Sequence, residues 1–180
     1  MPQVLDAADL RILRALQTEG RISNADLAER VGLSPSPCLR RVRLLEEAGV
    51  IKQYVALLDP ARIGLPVTAF VRVRLERQDD RQLARFEEAV RELPEVMECY
   101  LMTGESDYQL RILVESLAHF EDFLRLRLTT IPGISAVTSS FALREVAYRT
   151  ALPLEPQPKA AFGQSPDRAK PAVQARNSDV

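Results

Sequence analysis

RISNADLAERVGLSPSPCLRRVRLLEEAGV, residues 21–50, decides how the first third of the chain folds. Ser23 stands three places before Asp26, the spacing at which a hydroxyl accepts from the unpaired N–H groups that open a helix. Leu27, Ala28 and Val31 follow at helical intervals, and Gly32 supplies the residue at which a helix turns left-handed and stops. Ser34 and Pro35 open the next helix as N-cap and first residue, because proline lacks the N–H that is unpaired there in any case. That helix runs to about Ala48, and Gly49 ends it. Upstream, Asp6 and Asp9 predict another cap, Leu5, Ile12, Leu13 and Leu16 an apolar stripe, and Gly20 a left-handed stop. Three capped helices, the last two joined only by Gly32 and Leu33, read as a winged-type helix-turn-helix over residues 1–49.

The third helix carries the chemistry. On a helical wheel Cys38, Val42 and Leu45 share the inward face and Leu39 lies at its margin. Arg40 points away, and Arg41 and Arg43 flank the inward face; Leu44 is apolar on the outward side. Ser34, Ser36 and Pro37 sit at the helix start, the end that such a reader inserts into the major groove. An arginine fork grips guanine O6 and N7, while hydroxyls and backbone N–H groups hold phosphates. The candidate DNA contacts are therefore Ser23, Asn24, Ser34, Ser36, Pro37, Arg40, Arg41 and Arg43. A merely solvated basic face is the alternative for the arginines.

Residues 50–65 read as a strand and hinge, VIKQYVALLD followed by breaks at Pro60 and Gly64. Beyond them VTAFVRVRL (67–75) alternates as a half-buried strand, and 79–92 is a helix with Leu83, Phe86 and Val90 on one face. ECYLMT (98–103) and YQLRILV (108–114) are strands joined by Gly104-Glu105-Ser106-Asp107. A helix over 117–129 turns Leu117, Phe120, Phe123, Leu124 and Leu128 inward, and 134–148 returns to strand. Leu93-Pro94-Glu95-Val96 and Ile131-Pro132-Gly133-Ile134 each lie between a helix and a strand, so one unit is written twice. The fold class is α+β: a helix-turn-helix linked to a ferredoxin-like βαββαβ domain over 66–150, with both helices on one sheet face. The other face needs a cover, and Phe70, Tyr100, Met102 and Leu110 point to sheet-to-sheet dimerisation. Residues 151–180 hold five prolines without periodicity and read as a disordered tail.

Composition sets the limits. The 180 residues are 46% apolar and 27% charged, a globular mixture. No apolar run approaches the roughly 18 residues of a membrane span, and the N-terminus is no signal peptide, so the reading is a cytoplasmic protein with no membrane partner. Net charge is −1, with nine basic and eight acidic residues over 1–62, so any DNA contact rests on local placement of charge. Cys38 and Cys99 stand apart without a CxxC, and both read as small core residues; Met97 and Met102 read as packing. The single histidine, His119, reads as a surface or boundary residue, and no metal site is expected.

RISNADLAERVGLSPSPCLRRVRLLEEAGVIKQYVALLDPARIG (21–64) resembles the DNA-binding half and hinge of the Lrp/AsnC, or feast/famine, transcription regulators. LPEVMECYLMTGESDYQLRILV (93–114) and SSFALREVAYRTALPL (139–154) are similar to their effector domain and C-terminal strand region. The resemblance implies dimers that assemble into octamers, and an amino-acid effector bound where dimers meet, with Gly104–Asp107 contributing to the pocket. A glycine turn exposes N–H groups to a carboxylate and Asp107 can face an ammonium, although Gly, Ser and Asp also make ordinary hairpin turns. The candidate effector residues are Thr103, Gly104, Glu105, Ser106, Asp107 and Tyr108, with Thr138, Ser139 and Ser140 as weaker members.

The function so implied is a sequence-specific, nucleoid-associated bacterial transcription regulator modulated by an amino acid, without a cofactor. An architectural DNA-wrapping protein that ignores amino acids is the alternative. An enzyme is disfavoured, because no phosphate loop, nucleophile–base pair or metal cluster is present in the sequence.

Overall fold

The computed structural model describes residues 5–154, which form two compact units, 5–55 with 149–154 and 56–148. In the first unit α1 (Ala7–Thr18), α2 (Asn24–Val31) and α3 (Pro35–Glu47) enclose a core of Ile12, Leu13, Leu27, Ala28, Val31, Cys38 and Leu45. Their ends follow the capping chemistry. Asp6 and Asp9 form a reciprocal box, in which Asp6 Oδ1 accepts from the Asp9 N–H at 2.9 Å and Asp9 Oδ2 from the Asp6 N–H at 3.0 Å. Ser23 Oγ accepts from the Asp26 N–H, and Gly32 takes φ +70°, which a side chain would strain. Gly20 is not left-handed; α1 stops one residue earlier, at Glu19.

The second unit is a four-stranded antiparallel sheet in the order β2-β3-β1-β4, built from β1 (Val67–Leu75), β2 (Val96–Leu101), β3 (Tyr108–Val114) and β4 (Ile134–Phe141). Strand alternation sends Ala69, Val71, Val73, Tyr108, Leu110, Ile112 and Val114 toward α4 (Asp80–Arg91) and α5 (Leu117–Phe123), the latter extended by a wide turn over Leu124–Leu128. Asp79 and Ser116 cap these helices. Phe86 lies against Tyr108 with ring centroids 4.5 Å apart, and Phe120 meets Phe141 edge-on at 4.9 Å. The βαββαβ order and the repeated half are as read from the sequence.

Several local expectations fail, each for a physical reason. Residues 50–59 form no strand, because no neighbouring strand supplies the ladder; Val55, Leu57 and Leu58 remain exposed, and only a short 3₁₀ turn at Ala61–Ile63 follows. The last strand ends at Phe141, since its partner β1 begins at Val67 and cannot pair 142–148. Leu117 is 62% exposed, as the first residue of its helix it overhangs the sheet; Leu110 faces the helices rather than the open face. Met97, Met102 and Cys99 are exposed as well, because β2 is an edge strand.

Residues 155–180 lie outside the described residues, so the disordered-tail reading is not addressed there, but 151–154 do not hang free. The Gln17 amide donates to Leu152 O at 3.3 Å and its Oε1 accepts the Leu152 N–H at 2.6 Å, imitating a backbone pair. Arg14 Nε donates to Leu154 O at 3.0 Å, and the Leu154 side chain packs onto the helix-turn-helix core. Leu154→Ala in the full chain is expected to destabilise that unit by about 1–2 kcal/mol, half the usual cost for a buried leucine, read from its urea midpoint.

Candidate DNA-reading and ligand-binding sites

Helix α3 begins Ser34-Pro35-Ser36-Pro37, and its two prolines change what a helix start can offer. Ser34 has N-cap backbone geometry but makes no side-chain cap bond. The usual N3 donor is Pro37, which has no N–H, so the Ser34 hydroxyl is left without its customary partner. The Cys38 N–H already reaches Ser34 O at 3.1 Å. Ser34, Ser36 and Pro37 are exposed, and so are Arg40 and Arg43, which pair with no carboxylate among the described residues.

Arg41 behaves differently from its neighbours. Its Nη1 donates to Asp6 Oδ2 at 2.7 Å and to buried Asp9 Oδ1 at 2.8 Å, so the guanidinium is turned onto α1. The two carboxylates hold Arg41 more firmly charged than usual. Partial burial works against the Asp6 charge, but the Asp9 N–H and Arg41 outweigh it and keep the carboxyl below its ordinary range. Ser23 and Asn24 are engaged internally too: the Ser23 hydroxyl caps α2 and donates to Asp26 at 2.7 Å, and Asn24 Nδ2 donates to Pro35 O at 3.0 Å. Of the eight expected DNA contacts, Ser34, Ser36, Pro37, Arg40 and Arg43 are exposed at the start and along the length of α3, and Ser23, Asn24 and Arg41 are engaged within the fold. The wheel could not separate Arg41 from Arg43, since both flank the apolar face; only the position of Asp6 and Asp9 in space does so.

The second site lies at the β2–β3 connection. Gly104 has φ +110°, and open space lies where its side chain would stand. Among the described residues nothing accepts from the N–H groups of Thr103, Gly104, Glu105 or Ser106. Glu105 O is taken by Arg74 Nε at 2.9 Å. Asp107 is buried, with Oδ2 accepting the Leu75 N–H at 2.6 Å and Oδ1 the Gln78 amide at 2.6 Å, while its own N–H donates to Val73 O. The carboxylate therefore ties the turn to the end of β1 instead of facing an ammonium.

Tyr108 points the same way as the core, its hydroxyl donating to Glu87 Oε1 at 3.1 Å, and burial with that carboxylate keeps the phenol well above its ordinary range. Thr138 pairs with Arg72 on β4, the edge strand opposite β2, and Ser139 and Ser140 alternate faces there. One chain thus does not bring the three hydroxyls to the turn.

Sequence reasoning missed a cavity of about 340 Å³ beside the turn, lined by Glu87, Val90, Arg91, Cys99, Leu101 and Tyr108. Its signal was the register: Leu101 pairs with Tyr108 at the base of the hairpin, and α4 overlies them. Arg91 pairs with Glu87 at 3.3 Å on its wall. Desolvation against that wall, with Glu87 adding to it, pushes the Cys99 thiol up to about 11, so it stays neutral. His119 stands at the boundary of the same unit, with Nε2 3.8 Å from Glu95 and Nδ1 3.3 Å from Glu115.

A winged helix-turn-helix DNA-binding model matches residues 5–52, and the Lrp/AsnC ligand binding domain matches residues 68–152. The Bkd operon transcriptional regulator of Pseudomonas aeruginosa is 51% identical over 83% of this chain and 98% of its own length. The chain belongs to the Lrp/AsnC family of transcriptional regulators. The leucine-responsive regulatory protein of Rhizobium meliloti is 46% identical, over 79% of this chain and 91% of that one. A transcriptional regulator from Neisseria meningitidis, solved as an L-Met complex, superposes with a TM-score of 0.80 at 43% identity, covering 83% of this chain and 97% of that one. Lrp/AsnC proteins regulate transcription and are not enzymes, and this chain has both of their parts, a DNA-binding unit and a ligand-binding unit. No helix among the described residues is long and apolar enough to cross a membrane.

Asp107→Ala should lower the stability of the Lrp/AsnC ligand-binding unit by about 1–3 kcal/mol, because the buried Leu75 N–H loses its acceptor. Ser106→Ala in the same turn should change it by less than about 0.5 kcal/mol; equal urea midpoints for the two variants would remove Asp107 from this role.

Proposed function

We propose that this regulator binds operator DNA through the exposed face of α3 and that an apolar amino acid docked at the Gly104–Asp107 turn modulates that binding. Ser34 and Ser36 meet phosphates, Pro37 lies against the groove wall, and Arg40 and Arg43 reach base edges or phosphates. The observation that carries the effector half is the row of four N–H groups at residues 103–106 without a protein acceptor among the described residues, set beside a cavity lined by both apolar and charged side chains. A free amino acid is complementary to that combination. Its carboxylate takes the N–H groups, its ammonium meets Glu87, and its side chain enters between Val90, Leu101 and Tyr108. Asp107 contributes by holding the turn in shape. The L-Met complex of the Neisseria relative supports an effector of this class.

The chain is further proposed to act as a dimer that assembles into octamers in the bacterial cytoplasm, associated with the nucleoid. The helix-free face of the sheet supports self-association, for it exposes Phe70 at 41% on β1 and Tyr100 at 54% on β2, either side of β3. Thr138 and Ser140 share that face, and they reach an effector pocket only through a neighbouring copy. The architectural alternative differs in one respect: its DNA affinity ignores amino acids.

Two measurements test the reading. Arg40→Ala and Arg43→Ala should each weaken binding to an operator selected from a random duplex library, by about 1–3 kcal/mol for an arginine that grips a base; unchanged affinity in both moves the reading surface off α3. Calorimetric titration with the twenty amino acids, methionine and leucine first, should find a ligand that alters operator affinity. Leu101→Trp, which fills the cavity, should abolish that effect and leave DNA binding intact. A response that survives the tryptophan places the effector elsewhere.

A further inference from the structure

The acidic cap of α1 does two jobs at once. Asp6 and Asp9 close the helix start on each other, and the same two carboxylates take both contacts of Arg41 from the middle of α3. One turn further on, Arg11 Nε donates to Val31 O, the last carbonyl of α2, at 3.0 Å. The first two turns of α1 therefore hold both later helices by polar contacts of fixed direction. Apolar packing of Cys38, Val42 and Leu45 fixes which face of α3 is buried. The clamp of two carboxylates on Arg41 Nη1 adds contacts of fixed direction at the margin of that face and narrows the rotation that decides where Arg40 and Arg43 point.

Resting on the proposal that α3 reads DNA, we infer that Arg41 is a positioning residue for DNA recognition: clamped by Asp6 and Asp9, it sets the pose of the reading helix and makes no DNA contact itself. A second effect follows from the same geometry. Without Arg41, buried Asp9 keeps a charge with no counter-ion, and the helix must shift or admit water to relieve it. Pose matters for base edges, which demand directed hydrogen bonds, far more than for phosphates, which take any nearby cation. Arg41 should thus govern specificity and leave bulk attraction to DNA alone.

The test compares wild type, Arg41→Gln, Arg41→Gln with Asp9→Asn, Arg40→Ala and Arg43→Ala as full chains below their melting temperatures. Fluorescence anisotropy gives Kd over a salt series for a duplex selected with the wild-type protein and for a random duplex. Arg41→Gln is expected to weaken the selected duplex about tenfold, the loss of one well-formed base contact. Random-duplex affinity and the salt slope should stay at the wild-type values. The double variant, which restores a neutral amide pair, should recover most of the loss, and it carries the test if the single variant folds poorly. A salt slope lower by about one, with both duplexes weakened equally, would show a direct phosphate contact and overturn the inference. So would unchanged affinity for both duplexes in Arg41→Gln. If neither Arg40→Ala nor Arg43→Ala changes either duplex, α3 is not the reader, and the positioning role falls with it.

Discussion

The DNA-binding unit turns on one clamp, the guanidinium of Arg41 between the carboxylates of Asp6 and Asp9. Three short helices with a core of a dozen or so side chains have little apolar area with which to fix their mutual rotation. A directed ion pair at the edge of that core narrows the angle that packing already prefers. It also sorts the basic residues of α3. One arginine is consumed in holding the helix, and the two left over, Arg40 and Arg43, stand free on the outside. The prolines at 35 and 37 continue the sorting at the helix start, where they remove backbone donors and leave serine hydroxyls to face whatever approaches.

The ligand-binding unit uses a buried carboxylate in an analogous way. Asp107 joins the β2–β3 turn to the end of β1 by short bonds from Leu75 and Gln78. With its shape fixed from below, the turn keeps its own N–H groups unpaired above. The buried acid thus fixes the shape of the turn from beneath. In both units, then, a charged residue that looks like a ligand contact in the sequence is engaged inside the fold: Arg41 with Asp6 and Asp9, and Asp107 with Leu75 and Gln78.

That pattern marks how far the sequence can be read. Capping residues, glycine stops and strand alternation are local signals, and they located five helices and four strands and the repeated βαβ half. The extended segment 50–59 looked like a strand because its residues favour one, yet a strand exists only with a partner to pair with, and the single chain provides none. The candidate sites were legible as segments but not as roles. Asp6 and Arg41 lie 35 positions apart and Asp107 and Leu75 lie 32 apart, distances over which no periodicity in one sequence reports contact. The cavity beside the turn was hidden for the same reason, since α4, β2 and β3 each contribute only part of its wall.

The outward face of α3, with Arg41 turned inward, is proposed to lie against the bases, and tethered cleavage is the decisive measurement. In a Cys99→Ser background, where buried Cys38 resists labelling, a DNA-cleaving iron chelate attached at Ser36→Cys reports the neighbourhood of the helix start. Cuts confined to a few consecutive base pairs of each half-site, on the edges of one major groove, are expected. Diffuse cleavage along the duplex, or none from this position while a chelate on α4 cuts the DNA, would contradict that placement.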